Sequence, residues 1–595
     1  MRRELPVLFL VILFSSCGSS APEQQFSGML QEFVSTTLSF SPVAATAAGY
    51  HAHNDIPLDD QLDSFSAESV RKQLDFYEGF EKRLDAKAEA GGLSAQEQAD
   101  YELMRDQCRL ARFELGVQQR YKHDPTLYVE LAGNAIFTPL VLEYGPLDQR
   151  YQHIAMRLQQ VPRLLAEARN NLVDSPELAL QVAIQENDGN HDLIVGRLRD
   201  GAPPSERGAY ERGAGEALKS IESFTEFLQK ELSQKKSDWR LGPANYGTKF
   251  AAAMGISRPP VQVLAEAEAE LERTRARMHE LARPLYGKLL PGRTAPANPD
   301  ALTREVLTKI AERHATRETY FSDARRDLDE VRAFVAQRGF VELPKHDNLT
   351  VVPTPEFMRG IYSVGGFNAA PALEPKLGAF YWLTPISETW DDARVESKLR
   401  EYNYYGLKIL TIHEAIPGHY LQFEFANQVE PQWRRLLRAV YSNGPYVEGW
   451  AVYATQLMLD QGYLADDPAF ALTFSKQMLR VISNTILDIR FHTTGMNDEQ
   501  AMDLMVNKTF QEQEEAVGKL QRAKLSSAQL PTYFVGWREW LRTREAEQKR
   551  LGNGFNLADF HRRALLSGAV TMPSLRKVLA APAQGEASSK KGSMK

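Results

Sequence analysis

The chain has 595 residues, of which 43% are hydrophobic, 10% aromatic and 25% charged, a composition that supports a packed core and excludes a disordered chain. Its 70 basic and 77 acidic residues leave a net charge of -7 with the signs interspersed, so the basic face that nucleic-acid binding requires is missing. A mean hydropathy of -0.39 and the lack of any apolar run of about 18 residues argue against a membrane-spanning chain.

At the N-terminus, Arg2 and Arg3 precede LPVLFLVILF at 5–14, followed by Ser15, Ser16 and Cys17. This layout predicts a signal peptide over 1–16, since ten apolar residues at about 1.5 Å each are too few to cross a bilayer. The stretch FSSC at 14–17 resembles the bacterial lipobox, with Phe14 in place of the usual Leu. It predicts lipidation of Cys17, a polar tether over 17–25, and an exported protein, periplasmic or tethered to the outer membrane, that meets the membrane through its lipid alone. Cys108 is the only other cysteine, so no intramolecular disulfide is expected.

Helical signals dominate the rest. The stretch 261–283 opens after Pro259-Pro260, is filled with strong helix formers and is expected to close at Pro284. Similar stretches run over 62–90, 94–121, 150–173, 208–235, 300–338, 498–525 and 537–552. The Pro- and Gly-rich 286–300 is the most loop-like interior segment and a candidate boundary between two lobes of one domain spanning 26–580. Short β-branched and aromatic runs between turn residues over 340–386 predict a small sheet or edge hairpin. Residues 581–595 read as a disordered tail. The expected fold class is mainly α with a small β element.

The run TIHEAIPGHYLQ at 411–422 carries the chemistry. Zinc favours imidazole nitrogens and a carboxylate oxygen, and a catalytic site keeps one position open for water. His413 and His419 are two candidate ligands. In an HExxH helix the histidines stand four apart, about 40° off one face; here they stand six apart, about 120° apart on a regular helix. Pro417 lacks an N–H and crowds the carbonyl of His413, and Gly418 tolerates unusual backbone angles, so the helix is expected to break between them and swing His419 back. Without an ion, the same pair would be two helix-end histidines with ordinary hydrogen bonds. Glu448 in VEGWAVYA, 29 residues past His419, is the candidate third ligand. Glu414, next to the first histidine, is the candidate general base toward water acidified by the ion.

Beyond this run, SPVAATAAGYH at 41–51, GGFNAAPALEPKLGAFYWLTP at 365–385, HEAIPGHYLQ at 413–422, EGWAVYATQLM at 448–458, DIRFH at 488–492, QLPTYFVG at 529–536 and FHRRALLSG at 560–568 resemble, in order, blocks of the bacterial domain of unknown function 885 family, whose members are grouped with the gluzincin zinc peptidases. The resemblance implies a large two-lobed helical metallopeptidase-like fold with a deep central cleft, zinc held by His413, His419 and Glu448, and a peptide substrate. Glu448 with Ala451 resembles the gluzincin Glu-x-x-Ala ligand motif. The chain departs from the family pattern at Thr455, where a second Glu is frequent, and at Arg490, where Gly is usual.

Tyr533 and His492 are candidates to stabilise the oxyanion of amide attack, and Asp488, four residues from His492, would share its helix face. Arg480 and Arg490 are candidate anchors for a substrate carboxylate, and His561 is expected to pack. Together these readings describe an exported zinc metallopeptidase; the alternative is a metal-free relative that binds peptides or envelope partners on the same scaffold.

Overall fold

The computed structural model describes residues 21–359, 362 and 364–582. The stretch read as a signal peptide, Cys17 and most of the C-terminal tail lie outside the described residues. Within them the chain is mainly helical, and no helix is long and apolar enough to cross a membrane.

The chain opens with α1 (Ala21–Phe40), a two-residue hairpin of β1 (Ala52–His53) and β2 (Ile56–Pro57), then α2 (Ala67–Glu89) and α3 (Ala95–Phe113). Part of the expected tether, 21–25, is therefore helical. The reason lies downstream: Phe26, Leu30, Phe33, Val34 and Leu38 recur at helical spacing and are all buried, and each such side chain contributes about 1.5–3 kcal/mol. A helix pinned along that face extends back through residues that favour it.

Next come α4 (Thr126–Val141), α5 (Leu147–Asn171), α6 (Glu177–Leu193) and α7 (Arg207–Lys230), followed by α8 (Gly242–Met254), α9 (Pro260–Leu289), α10 (Pro299–Ala311) and α11 (Tyr320–Arg338). Helix α9 does not stop at Pro284 but continues to Leu289. Pro284 lies on the exposed side, where water can take up the carbonyl it leaves unpaired, while Leu285 and Tyr286 beyond it are buried. The stretch 300–338 is two helices, not one. Thr316 and Thr319 exchange reciprocal hydrogen bonds from backbone N–H to side-chain hydroxyl, at 2.9 and 3.3 Å, and hold a turn between them.

A three-stranded sheet follows, as the 340–386 composition predicted. Its strands are β3 (Leu349–Pro353), β4 (Gly365–Asn368) and β5 (Ala379–Leu383), in the order β3-β5-β4. The central β5 runs parallel to β3, with Leu349 opposite Ala379, and antiparallel to β4, with Gly365 opposite Leu383. Successive residues of a strand face opposite ways. Accordingly Ala379, Tyr381 and Leu383 join a large core built by α1–α3 and the elements from α8 onward, whereas Trp382 joins a second core built chiefly by α4–α7. The sheet lies between the two cores. The 286–300 segment does not divide them, because α9 and α10 on either side of it pack into the same large core.

The later helices include α12 (Tyr404–Glu414), α13 (His419–Ala426), α14 (Gly444–Asp460), α15 (Pro468–Thr493), α16 (Gln513–Leu525), α17 (Pro531–Leu551) and α18 (Leu557–Leu566). The stretch 498–525 is also interrupted: buried Phe510 has a left-handed backbone (φ 57°), and the Glu512 N–H donates to Glu401 at 3.0 Å. The chain thus re-enters helix at Gln513 in a new direction.

Candidate metal centre

Helix α12 ends on the His413-Glu414 pair. The Ala415 N–H closes it onto Thr411 O at 2.9 Å, the Gly418 N–H reaches back to Ile412 O at 3.0 Å, and α13 starts afresh at His419. The expected break is present, but glycine is required for a different reason than its backbone angle. Gly418 has φ -77°; the constraint is space, because a Cβ there would meet His413 O at 1.9 Å and Ile412 O at 2.4 Å. Trp450, buried on α14, donates its indole N–H to Pro417 O at 2.8 Å and Gly418 O at 3.2 Å. The helix that carries Glu448 therefore also pins the break that presents His419.

The outcome is convergence. His413 Nε2 and His419 Nε2 lie 3.6 and 3.4 Å from Glu448 Oε2, and the three ligand atoms all fall within 4.8 Å of one another. The two imidazoles meet edge to face, with centroids 4.8 Å apart. These separations exceed the roughly 2.7–2.9 Å of a charge-assisted hydrogen bond. They match atoms that each sit about 2.0–2.2 Å from a shared tetrahedral zinc, which stand about 3.3–3.5 Å apart. Among the described residues Glu448 Oε2 is buried without a hydrogen-bond partner, which leaves it free to accept an ion. Burial opposes the charge of Glu448, but the two imidazoles hold its carboxyl well below the usual carboxylate range; Glu448 in turn holds His419 above its ordinary value despite burial. The residues present fit zinc.

Glu414 is buried and lines the same cavity as the three groups, a space of about 270 Å³. Tyr533 of α17 lines it too, its ring stacked on His413 with centroids 6.1 Å apart. Burial raises its phenol to about 12, against the opposing pull of Arg522. Tyr533 owes its place to the crossing of α14 and α17, where Gly449 and Gly536 meet backbone to backbone; a Cβ on Gly536 would lie 1.9 Å from Pro445 O and 2.6 Å from Gly449 Cα. Gly536→Ala is expected to force the helices apart, lowering stability by about 1–3 kcal/mol and displacing Glu448 and Tyr533 together. A reduced denaturation midpoint with weakened zinc binding is the expected result, and unchanged values for both would contradict this account.

Other candidates are placed elsewhere. Arg480 lines the cavity but is committed, ion-paired with Glu515 and donating to the Tyr402 hydroxyl at 2.7 Å. Arg490 is ten residues further along the same helix, about 15 Å at 1.5 Å per residue, and pairs with Glu268 at 2.5 Å. It cannot serve the site. Nor does His492 reach it: its Nδ1 accepts from the Leu241 N–H at 3.2 Å, its Nε2 donates to Ser526 O at 3.2 Å, and Tyr246 stacks on its ring. Burial lowers its pKa to about 4, so it is a neutral packed histidine. Asp488 takes hydrogen bonds from the Tyr246 hydroxyl and the Ala528 N–H, at 2.6 and 2.9 Å, rather than from His492. Thr455 is buried and donates to Ala451 O at 2.8 Å, satisfied within its own helix. His561 packs as expected, bonded to Phe340 O at 2.7 Å and the Tyr453 hydroxyl at 2.8 Å.

Sequence reasoning missed Lys519 and Arg522, which line the cavity from α16. One signal was available. The buried stripe of α16 is Glu515, Ala516, Lys519 and Ala523, so charged residues occupy positions that in an ordinary amphipathic helix would be apolar. A larger groove of about 1290 Å³, lined by parts of α2, α3 and α8, contains none of the histidine and carboxylate set.

Residues 42–579 match the family described as bacterial protein of unknown function, DUF885. The chain belongs to this family. The match spans all of the site residues just described. No curated protein matches the chain. Two solved structures are similar over nearly their whole length. One, from Shewanella oneidensis and described as a candidate lipoprotein of unknown function, is 28% identical with a TM-score of 0.75, covering 93% of this chain and 100% of its own. The other, from Colwellia psychrerythraea and described as a candidate lipoprotein, is 19% identical with a TM-score of 0.74, covering 94% of this chain and 98% of its own; it shows a shared fold.

Proposed function

We propose that this DUF885 protein is a zinc-dependent hydrolase, a metallopeptidase in which His413, His419 and Glu448 hold the ion and Glu414 is the general base. The observation that carries this reading is the convergence of two imidazole nitrogens on one buried carboxylate oxygen that has no hydrogen-bond partner among the described residues. On this reading the two hydrophobic cores flank a cleft of gluzincin type into which the site opens.

Zinc at these three groups supplies a Lewis acid that acidifies water and polarises an amide carbonyl. The chain's own residues do the rest. Glu414 takes the proton of the attacking water and delivers it to the departing amine. The Tyr533 hydroxyl donates to the oxygen that gains negative charge, oriented by Arg522, whose guanidinium donates to it at 3.1 Å. Strand β4 lies at the sheet edge, and its Gly365, Gly366 and Phe367 line the cavity, leaving backbone groups available to an extended peptide.

Export and lipid anchoring at Cys17 complete the proposal. It is supported by the N-terminal pattern and by the description of both structural relatives as candidate lipoproteins. The test is metal content. Protein purified without chelator is expected to carry one zinc per chain and to cleave peptides. Well under one zinc, with no uptake on addition, would leave the metal-free binding scaffold as the better account.

A further inference from the structure

We infer that the cavity beside the metal site captures the free C-terminal carboxylate of a short peptide between Lys519 and Arg522, so that cleavage proceeds from the C-terminal end. This rests on the hydrolase reading above and assigns its substrate class.

The argument starts from charge pairing on α16. Glu515, Lys519 and Arg522 stand at i, i+4 and i+7, one face of the helix, and all three line the cavity. Glu515 is already claimed: Arg480 pairs with it, Lys398 lies 3.9 Å away, and the Tyr402 hydroxyl donates to it at 3.2 Å. That leaves two cations with no ion pair within 4.0 Å among the described residues, where Glu448, and for Lys519 also Glu515, act only from further away. Arg522 spends one nitrogen on neutral acceptors, the Gln529 side-chain oxygen at 3.2 Å and the Tyr533 hydroxyl at 3.1 Å, and makes no ion pair among the described residues. Lys519 is only 5% exposed and has neither a hydrogen bond nor an ion pair within 4.0 Å among the described residues.

A buried ammonium with no partner is costly to keep. Burial, together with the neighbouring Arg480 and Arg522 charges, pushes Lys519 well below its ordinary value against the opposing pull of Glu515 and Glu448, and a carboxylate arriving beside it would favour the protonated ammonium. A carboxylate has the right shape, with one oxygen for the ammonium and one for the free guanidinium N–H groups. Size selects the terminal carboxylate. At about 270 Å³ the cavity is at or below the small end of ligand pockets, enough for a residue or two but not for a chain passing through. Because Arg522 also holds Tyr533, the carboxylate anchor and the oxyanion donor are joined by one hydrogen bond, which places the scissile bond near the chain end.

The experiment compares three peptides of one sequence: the free acid, its C-terminal amide, and an amide with Asp as its last residue. Each is titrated calorimetrically into zinc-loaded Glu414→Gln protein and assayed for cleavage by the native enzyme. The free acid is expected to bind about 10–100-fold more tightly than either amide, the range for hydrogen bonds to charged groups, and to show the same preference in kcat/KM. Lys519→Met, close in volume, should collapse the acid-to-amide ratio toward one with zinc content unchanged, while Arg522→Lys should retain part of it. Equal affinity for acid and amide overturns the inference and leaves the hydrolase reading intact. Equal affinity for the acid and the Asp amide also overturns it, because an internal acid would then suffice. A clear preference for the acid in a protein that cleaves nothing supports the carboxylate pocket and removes the hydrolase reading instead.

Discussion

Glu414→Gln is expected to retain one zinc per chain and to lose peptide hydrolysis by about 10²–10⁴-fold, the usual worth of a positioned general base. The substitution keeps the shape of the side chain and removes only its basicity. Glu414 is not one of the three converging groups, yet it is the residue next to His413 in sequence and lines the same cavity, so its loss falls on proton transfer rather than on metal affinity. Turnover at the native level would reject Glu414 as the base. Joint loss of zinc and activity would make it a support for the ligands instead.

His419→Ala is expected to weaken zinc binding by more than the 10–100-fold that follows loss of an outer partner of a metal ligand, since a direct ligand is removed. The effect reads out without any substrate. At zinc about 1,000 times its Kd, the native protein gains about 4 kcal/mol of stability, seen as a higher unfolding temperature that chelation reverses. His419→Ala should show little of that gain. In the absence of metal the variant should also be less stable than the native protein, because the His419 imidazole lies 3.4 Å from the buried Glu448 carboxylate and favours its charge. Full zinc stabilisation of the variant would mean that the break between α12 and α13 does not serve to present a ligand.

Much of the candidate site was legible because its signals are local. Two histidines six apart with Pro417 and Gly418 between them imply a broken helix on steric grounds alone, and the segment EGWA supplies an acid of the right kind. The helical class and the small sheet follow from periodicity and turn residues, which act within a few positions of themselves. Where the sequence reading went astray, the deciding contact lay far off. Pro284 does not end α9 because Leu285 and Tyr286 are buried in the large core. The 286–300 loop looks like a lobe boundary by composition, yet the helices on both its sides pack into one core.

By itself, then, the amino-acid order determined the helix-breaking geometry around His413 and His419, the chemical type of the third candidate ligand and the mainly helical class, because all depend on neighbours along the chain. Only the tertiary structure decided which cations face the candidate metal site. Arg480, Arg490, Lys519 and Arg522 are equally charged residues on helices when read in one dimension. Helix rise carries Arg490 about 15 Å from Arg480, Glu515 claims Arg480, and the redirected α16 turns Lys519 and Arg522 into the cavity. Charge pairing in a folded interior depends on distance through space, and no pattern along the chain encodes it.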